Sequence, residues 1–216
     1  MRSSLGRGGI DAEMAAGAAA ASGVLPMLRA ARELLGRLED ERVAPFLADW
    51  PEPVLPDRRP EPTPLPVLRW LPDAARLAPP ATAPLALALT EAADCLAWRQ
   101  TYTADDLGPA FLERYGWTEL VGLRGPVASG RLACGFLLLG PATEYPTHRH
   151  EAEEVYVPVA GTALWRAGEG PWTARPPGTT VHHPSWTPHA MRTGAEPLVA
   201  LYLWRGGDLA QKSRLG

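Results

Sequence analysis

The chain is 216 residues long, with 21 Lys/Arg against 24 Asp/Glu and a formal net charge of -3. That length supports a real hydrophobic core, in one large domain or in a core domain with a substantial extension, without disulfide or metal staples. The charge balance, with no Lys/Arg cluster, excludes the electrostatic footprint of a nucleic-acid binder. Cys95 and Cys134 are a lone, widely separated pair, expected to be reduced and buried. The run Ala15–Ala21 follows Asp11 and Glu13, is interrupted by Gly17 and lacks the leucine content of an export signal. No uninterrupted apolar span reaches about 18 residues. The expectation is a soluble, cytoplasmic protein of bacterial type with no membrane partner.

Residues 11–47 are helical in pattern. Leu25, Leu28, Leu34, Leu35, Leu38 and Val43 recur between Arg, Glu and Asp, which fits an amphipathic packing or dimerisation helix with Pro26 in its first turn. A homodimer is therefore among the expectations. Prolines at 51, 53, 56, 60, 62, 64 and 66 exclude helix and central strand, leaving an extended connector that straps across the domain. Pro84–Gln100 reads as a second helix, and residues 104–115 as a shorter one with Thr103 as N-cap and Gly116 as stop signal. After Trp117 the pattern changes. The runs Leu132–Leu139, Val155–Ala160 and Leu198–Trp204 are punctuated by Gly, Pro and Ser, as in a small antiparallel sandwich or barrel. The fold class is α+β, with a helical region over 1–116 and a β-barrel over 117–216.

All five histidines, at 148, 150, 182, 183 and 189, fall in the β-rich half. His148 and His150 are separated by one residue on strand-like sequence, so their side chains share a face. Glu154 and Tyr156 follow with the same parity. Neutral imidazoles with one carboxylate suit a first-row divalent metal and leave positions for substrate or water. His182 and His183 precede Pro184 at a turn-like position, where alternation sends only one of them inward; for both, a surface or supporting role is favoured over ligation.

The spacing His148-x-His150, Glu154, Gly161 matches the first motif of the cupin superfamily. Gly178, Pro184 and His189 match the second, with Trp186 where glycine is usual and Thr193 in place of the usual asparagine. More narrowly, Tyr145, His148, His150, Glu154 and Tyr156, followed by His189, resemble the cupin-type dimethylsulfoniopropionate (DMSP) lyases, which also carry a helical region before one barrel. The resemblance implies a jelly-roll cupin barrel and one divalent transition metal ion (Zn, Fe, Mn, Co or Ni) held by His148, His150, Glu154 and His189. It further implies Tyr156 as catalytic base, with Tyr145 close to the small-molecule substrate. The reaction would be β-elimination of dimethyl sulfide to leave acrylate. An Fe(II) dioxygenase, an isomerase and a non-catalytic binding cupin use the same ligand set and stand as alternatives.

A sulfonium substrate needs a dry wall that accepts positive charge, and tryptophan faces supply one, each worth about 0.5–2 kcal/mol. Among Trp117, Trp165, Trp172, Trp186 and Trp204, the first choice is Trp204, at the end of an apolar strand, followed by Trp165.

Overall fold

In the computed structural model, which describes residues 23–52, 54 and 56–216, helix α1 covers residues 23–37. Its Met27, Leu28, Ala31, Leu34 and Leu35 recur at helical spacing and are all buried. Pro26 lies inside this helix. The Ala15–Ala21 run falls outside the described residues. The periodic stretch expected to reach residue 47 is broken at Glu39, whose φ is 48. There Asp40 accepts the backbone N–H and the guanidinium of Arg42. The chain restarts as α2 (Ala44–Ala48) with a proline in its first turn. Residues 56–62 then run without helix or strand. Asp57 and Arg58 donate their N–H groups to the Pro126 carbonyl at 2.9 and 3.1 Å, and Thr63 bridges Ala97.

A 3-10 turn (Pro66–Trp70) leads into α3 (Leu71–Ala75) and α4 (Ala83–Ala92). The helix expected over 84–100 is thus too long. A 3-10 turn (Ala93–Cys95) closes it, and β1 (Trp98–Arg99) follows. No breaker residue marks the change. Trp98 is buried, donates its indole N–H to the Ala93 carbonyl at 3.1 Å, and pairs with Thr118, so tertiary contact overrides helical pattern. Cys95 is consequently exposed, contrary to expectation, whereas Cys134 is buried; both are free thiols. The stretch 104–115 is two short helices, α5 (Ala104–Leu107) and α6 (Pro109–Leu112). Thr103 caps the first in a reciprocal pair with Asp106. Gly108 at φ 79 separates them, and Pro109 has no N–H with which to continue a helix. Gly116 does not stop a helix but lies in β2 (Tyr115–Gly122).

The remaining strands are β3 (Val127–Ala128), β4 (Leu132–Leu139), β5 (Glu144–Arg149), β6 (Glu153–Ala160), β7 (Ala163–Ala167), β8 (Thr173–Arg175), β9 (Val181–His183), β10 (His189–Thr193), β11 (Leu198–Arg205) and β12 (Arg214–Leu215). They form a seven-stranded sheet in the order β1-β2-β4-β11-β6-β9, with β3 beside β2, and a five-stranded sheet in the order β12-β5-β10-β7-β8. Every pairing but β2–β3 is antiparallel. The apolar runs noted in the sequence are strands covered on both faces. Cys134, Phe136 and Leu138 of β4, Val155 and Val157 of β6, and Leu201 and Leu203 of β11 share one cluster with the helices. The alternate residues Ala133, Leu137, Tyr156, Ala200 and Tyr202 share a second cluster with Tyr145, Trp165 and Met191 of the five-stranded sheet. Period-two alternation thus divides each strand between a helix-facing core and an inter-sheet interior.

Two motif positions find structural reasons here. Gly161 turns the chain between β6 and β7 at φ 77, and a Cβ there would lie 2.0 Å from the Pro197 carbonyl oxygen. Thr193 donates to the Gly140 carbonyl at 2.7 Å and accepts the Thr143 N–H at 2.9 Å. It thereby ties the end of β10 to the turn before β5, a latch that a short hydroxyl provides. Gly161→Ala should destabilise the fold by about 1–3 kcal/mol, from left-handed strain and displacement of the Pro197 carbonyl. Urea denaturation, with the midpoint falling at unchanged slope, checks this.

Candidate metal centre

His148 sits on β5 and His189 opposite it on β10, as register partners. His150 lies just past β5, in the turn to β6. Glu154 and Tyr156 come from β6 in the other sheet, with Glu154 paired in register to Trp204 of β11 on one side and His183 of β9 on the other. The interior between the sheets therefore receives imidazoles from one sheet and a carboxylate from the other. His148, His150 and His189 are all buried, and one ring nitrogen of each lies within 4.8 Å of the others.

Backbone carbonyls orient the three rings. Nδ1 of His148, His150 and His189 lies 2.9, 2.9 and 2.8 Å from the carbonyls of Pro146, Ala152 and Thr187. A carbonyl only accepts, so each Nδ1 carries the proton and each Nε2 presents a lone pair. Glu154 is fully buried, and its Oε2 lies 3.0 Å from His150 Nε2 and 3.1 Å from His189 Nε2. Its Oε1 accepts the indole N–H of Trp204. His189 Nε2 is outside hydrogen-bond geometry with the carboxylate and has no other partner. Acceptors facing acceptors in a dry interior repel unless a cation lies between them. A proton on an imidazole can supply that charge, and so can a divalent metal, whose preferred donors are these atoms. The residues present fit a metal, and their carbonyl partners are the outer contacts that metal-binding imidazoles use.

Burial would raise the Glu154 carboxyl, but positive charge on the adjoining His150 and His189 rings, when they carry a second proton, outweighs it and holds the group well below its usual range. Burial, with His189 adding to it, keeps His148 neutral, well below an ordinary histidine. Tyr156 is pushed well above its ordinary value by burial and by the Glu154 carboxylate beside it.

A cavity of about 290 Å³ opens onto this centre, lined by His148, Glu154, Tyr145, Tyr156, Tyr202 and Trp204, among others. Tyr145 stacks on the His148 ring at 4.0 Å and donates its hydroxyl to Tyr102 at 3.2 Å. Trp204 lies against His150, with ring centroids 4.1 Å apart. Trp165, singled out in the sequence beside Trp204, is not among the cavity-lining residues. It packs behind Tyr156 at 5.0 Å. Trp117, one of the five candidate tryptophans but not a first choice, lines the cavity, while sequence reasoning assigned no role to Tyr202, which also lines it, or to Tyr102, which holds Tyr145. Tyr202 has the same strand parity as Trp204, a signal that was present; Tyr102 has none, because it lies outside any strand.

Of the two ambiguous histidines, His182 points outward and meets Glu153 at 2.8 Å. His183 is buried, stacks on His189 at 4.0 Å and leaves both ring nitrogens without a partner. Trp186, where the motif expects glycine, adopts φ 60, a left-handed conformation that costs a bulky residue about 1–2 kcal/mol. Its backbone N–H donates to the His150 carbonyl at 2.8 Å, and Arg214 covers its ring. The strained turn thereby braces His150.

A family model for DMSP lyases matches residues 40–200. Over 156 residues, 72% of this chain and 75% of the relative, the sequence is 38% identical to dimethylsulfoniopropionate lyase DddQ of Ruegeria pomeroyi. The crystal structure of the DMSP lyase DddQ from Ruegeria pomeroyi DSS-3 superposes with a TM-score of 0.81 at 33% identity, covering 90% of this chain and 96% of that one. A chain from the crystal structures of the DMSP lyases RdDddP and RnDddQII superposes with a TM-score of 0.83 at 34% identity, covering 91% and 99%. Fold and site together define a two-sheet β protein with helices on one sheet and a buried imidazole–carboxylate centre between the sheets. The chain belongs to the DMSP lyase family.

Burial pushes His183 from 6.5 down to about 3. Below pH 6.5 the unfolded chain therefore binds a proton that the folded chain refuses, so stability present above that pH is lost progressively towards pH 3, at about 1.4 kcal/mol per pH unit. Metal-free protein should show this slope in urea titrations, and His183→Leu should flatten it by about one proton.

Proposed function

We propose that this chain cleaves DMSP by β-elimination to dimethyl sulfide and acrylate. His148, His150, Glu154 and His189 would hold one divalent transition metal ion, with Tyr156 as the base. The observation that carries this reading is the buried centre itself, where a carboxylate faces two imidazole lone pairs beside a tyrosine in a small cavity. Membership of the DMSP lyase family gives the substrate class. The reading takes the two sheets as a cupin jelly-roll barrel over 117–216, preceded by a helical region over 1–116, in a cytoplasmic enzyme acting on a small molecule. It is supported by the two-sheet topology and by the superpositions. Among the described residues, no helix is long and apolar enough to cross a membrane.

The proton to be removed lies next to a carboxylate, whose negative charge opposes carbanion formation. A divalent cation held by His148, His150, Glu154 and His189 would supply the countercharge that makes this proton more acidic. Tyr156 takes the proton on its phenolate oxygen, the electron pair forms the carbon–carbon double bond, and the carbon–sulfur bond breaks to release neutral dimethyl sulfide. No acid is required for that leaving group. The charge beside Tyr156 decides whether a phenolate is available: Glu154 alone disfavours it, and a cation at the imidazoles opposes that effect. Tyr145, buried and held by Tyr102, limits where the substrate can lie. Trp117, Tyr202 and Trp204 offer the sulfonium an aromatic wall, while Trp165 backs the base.

Purified protein loaded with each candidate metal should release headspace dimethyl sulfide from DMSP, lose that activity to a chelator and regain it with metal. Tyr156→Phe should retain the metal by elemental analysis and lose turnover by about 10²–10⁴-fold. Gas release at the wild-type rate from that variant would overturn the base assignment.

A further inference from the structure

After β11 the chain turns on Gly206 and Gly207, with φ 68 and 60. Residues 209–213 then line the cavity before β12 pairs with β5 beside His148. No sequence pattern marked this segment, yet it is fastened at several points. The Asp208 N–H donates to Glu151 at 3.2 Å, and Gln211 accepts the Glu151 N–H at 2.9 Å. Lys212 meets Asp106 of α5 at 2.8 Å. The Arg124 guanidinium donates to the carbonyls of Leu209 at 3.5 Å and Ala210 at 2.9 Å, and lies 5.9 Å from the Trp117 ring. Leu209 is buried among the aromatic residues of the interior.

Arg124 is itself held by an otherwise unexplained buried carboxylate. Glu119 points its Oε1 at the turn after β2 and accepts the N–H groups of Arg124 and Gly125, the latter at 2.8 Å. Glu119 thus places the backbone from which Arg124 reaches the carbonyls.

We propose that residues 206–213 form the wall that sets which S-alkyl groups the cavity accepts, and that Arg124, placed by Glu119, is the latch holding that wall. The selectivity half of this inference rests on the lyase reading. A substrate with its carboxylate at the imidazole centre directs its sulfonium end to the rest of the lining, where Trp117, Arg124 and Leu209 form one connected surface. Loosening that surface enlarges the sulfonium end of the cavity and leaves the imidazoles untouched. Arg124 acts as a positioning residue, through the segment it holds.

The test compares the sulfoniopropionates carrying two S-methyl or two S-ethyl groups, together with trypsin cleavage after Lys212 followed by mass. Arg124→Met should raise the diethyl-to-dimethyl ratio of kcat/KM about tenfold and speed cleavage after Lys212 by a similar factor, with metal content unchanged, because charged hydrogen bonds to two carbonyls are lost. Arg124→Lys should restore part of both. Asp106→Asn keeps the cap of α5 and loses the ion pair to Lys212, so it should move both readouts the same way by about two- to threefold; it serves if Arg124→Met does not fold. Equal cleavage rates in wild type and variants overturn the latch. An active wild type whose preference is unchanged in the variants overturns the selectivity claim alone. A wild type that releases no dimethyl sulfide overturns the lyase reading and the selectivity claim with it, while cleavage still decides the latch.

Discussion

Glu154 is the point on which the interior depends. A carboxylate with no exposure to water needs partners on every side, and strand registers bring them. The β11 register puts the Trp204 indole on one oxygen, and the five-stranded sheet presents His150 and His189 to the other. Because the imidazoles approach with lone pairs, the cluster balances electrostatically only with a cation between them, whether a proton on a ring or a metal ion.

The same requirement organises what surrounds the site. Carbonyls of Pro146, Ala152 and Thr187 fix ring orientation, and the strained Trp186 turn fixes the carbonyl side of His150. Tyr156 is on the Glu154 strand at the next inward position, so its proton affinity responds to whatever charge the centre carries. The electrostatics of the imidazole cluster and the proton affinity of Tyr156 are in this way two consequences of one buried carboxylate. The outer layer is held differently: aromatic side chains from β2 and β11 and a C-terminal segment joined by hydrogen bonds and one surface ion pair close the cavity.

Much of this was legible in the chain because its signals are local. Glu154 and Tyr156 are two residues apart on one strand, and period-two geometry puts them on one side, while His148 and His150 reach the same interior from the end of β5 and the turn after it. The runs at 132–139, 155–160 and 198–204 are strands at nearly those bounds, since apolar residues in succession need both faces covered. Thr103 caps a helix, as its side chain and Asp106 three residues later required. Errors arose where distant partners decide. Trp98 leaves a helical pattern to pair with Thr118, and Trp165 and Trp204 look alike in sequence, but the first packs on Tyr156 and the second lies against His150 and lines the cavity. Glu39 and Gly108 break helices through backbone conformations that a hydrophobic pattern does not report.

By itself, then, the sequence determined the candidate donors, the likeness to the DMSP lyases and the positions of the main strands, each through spacing within one chain segment. Tertiary structure alone decided that Glu154 opposes two imidazole lone pairs, that His183 rather than His182 lies inside, and that residues 209–213 wall the cavity. These depend on register between strands and on contacts between residues far apart in sequence, such as Arg124 with Ala210. Neither quantity is encoded by the periodicity of a single segment.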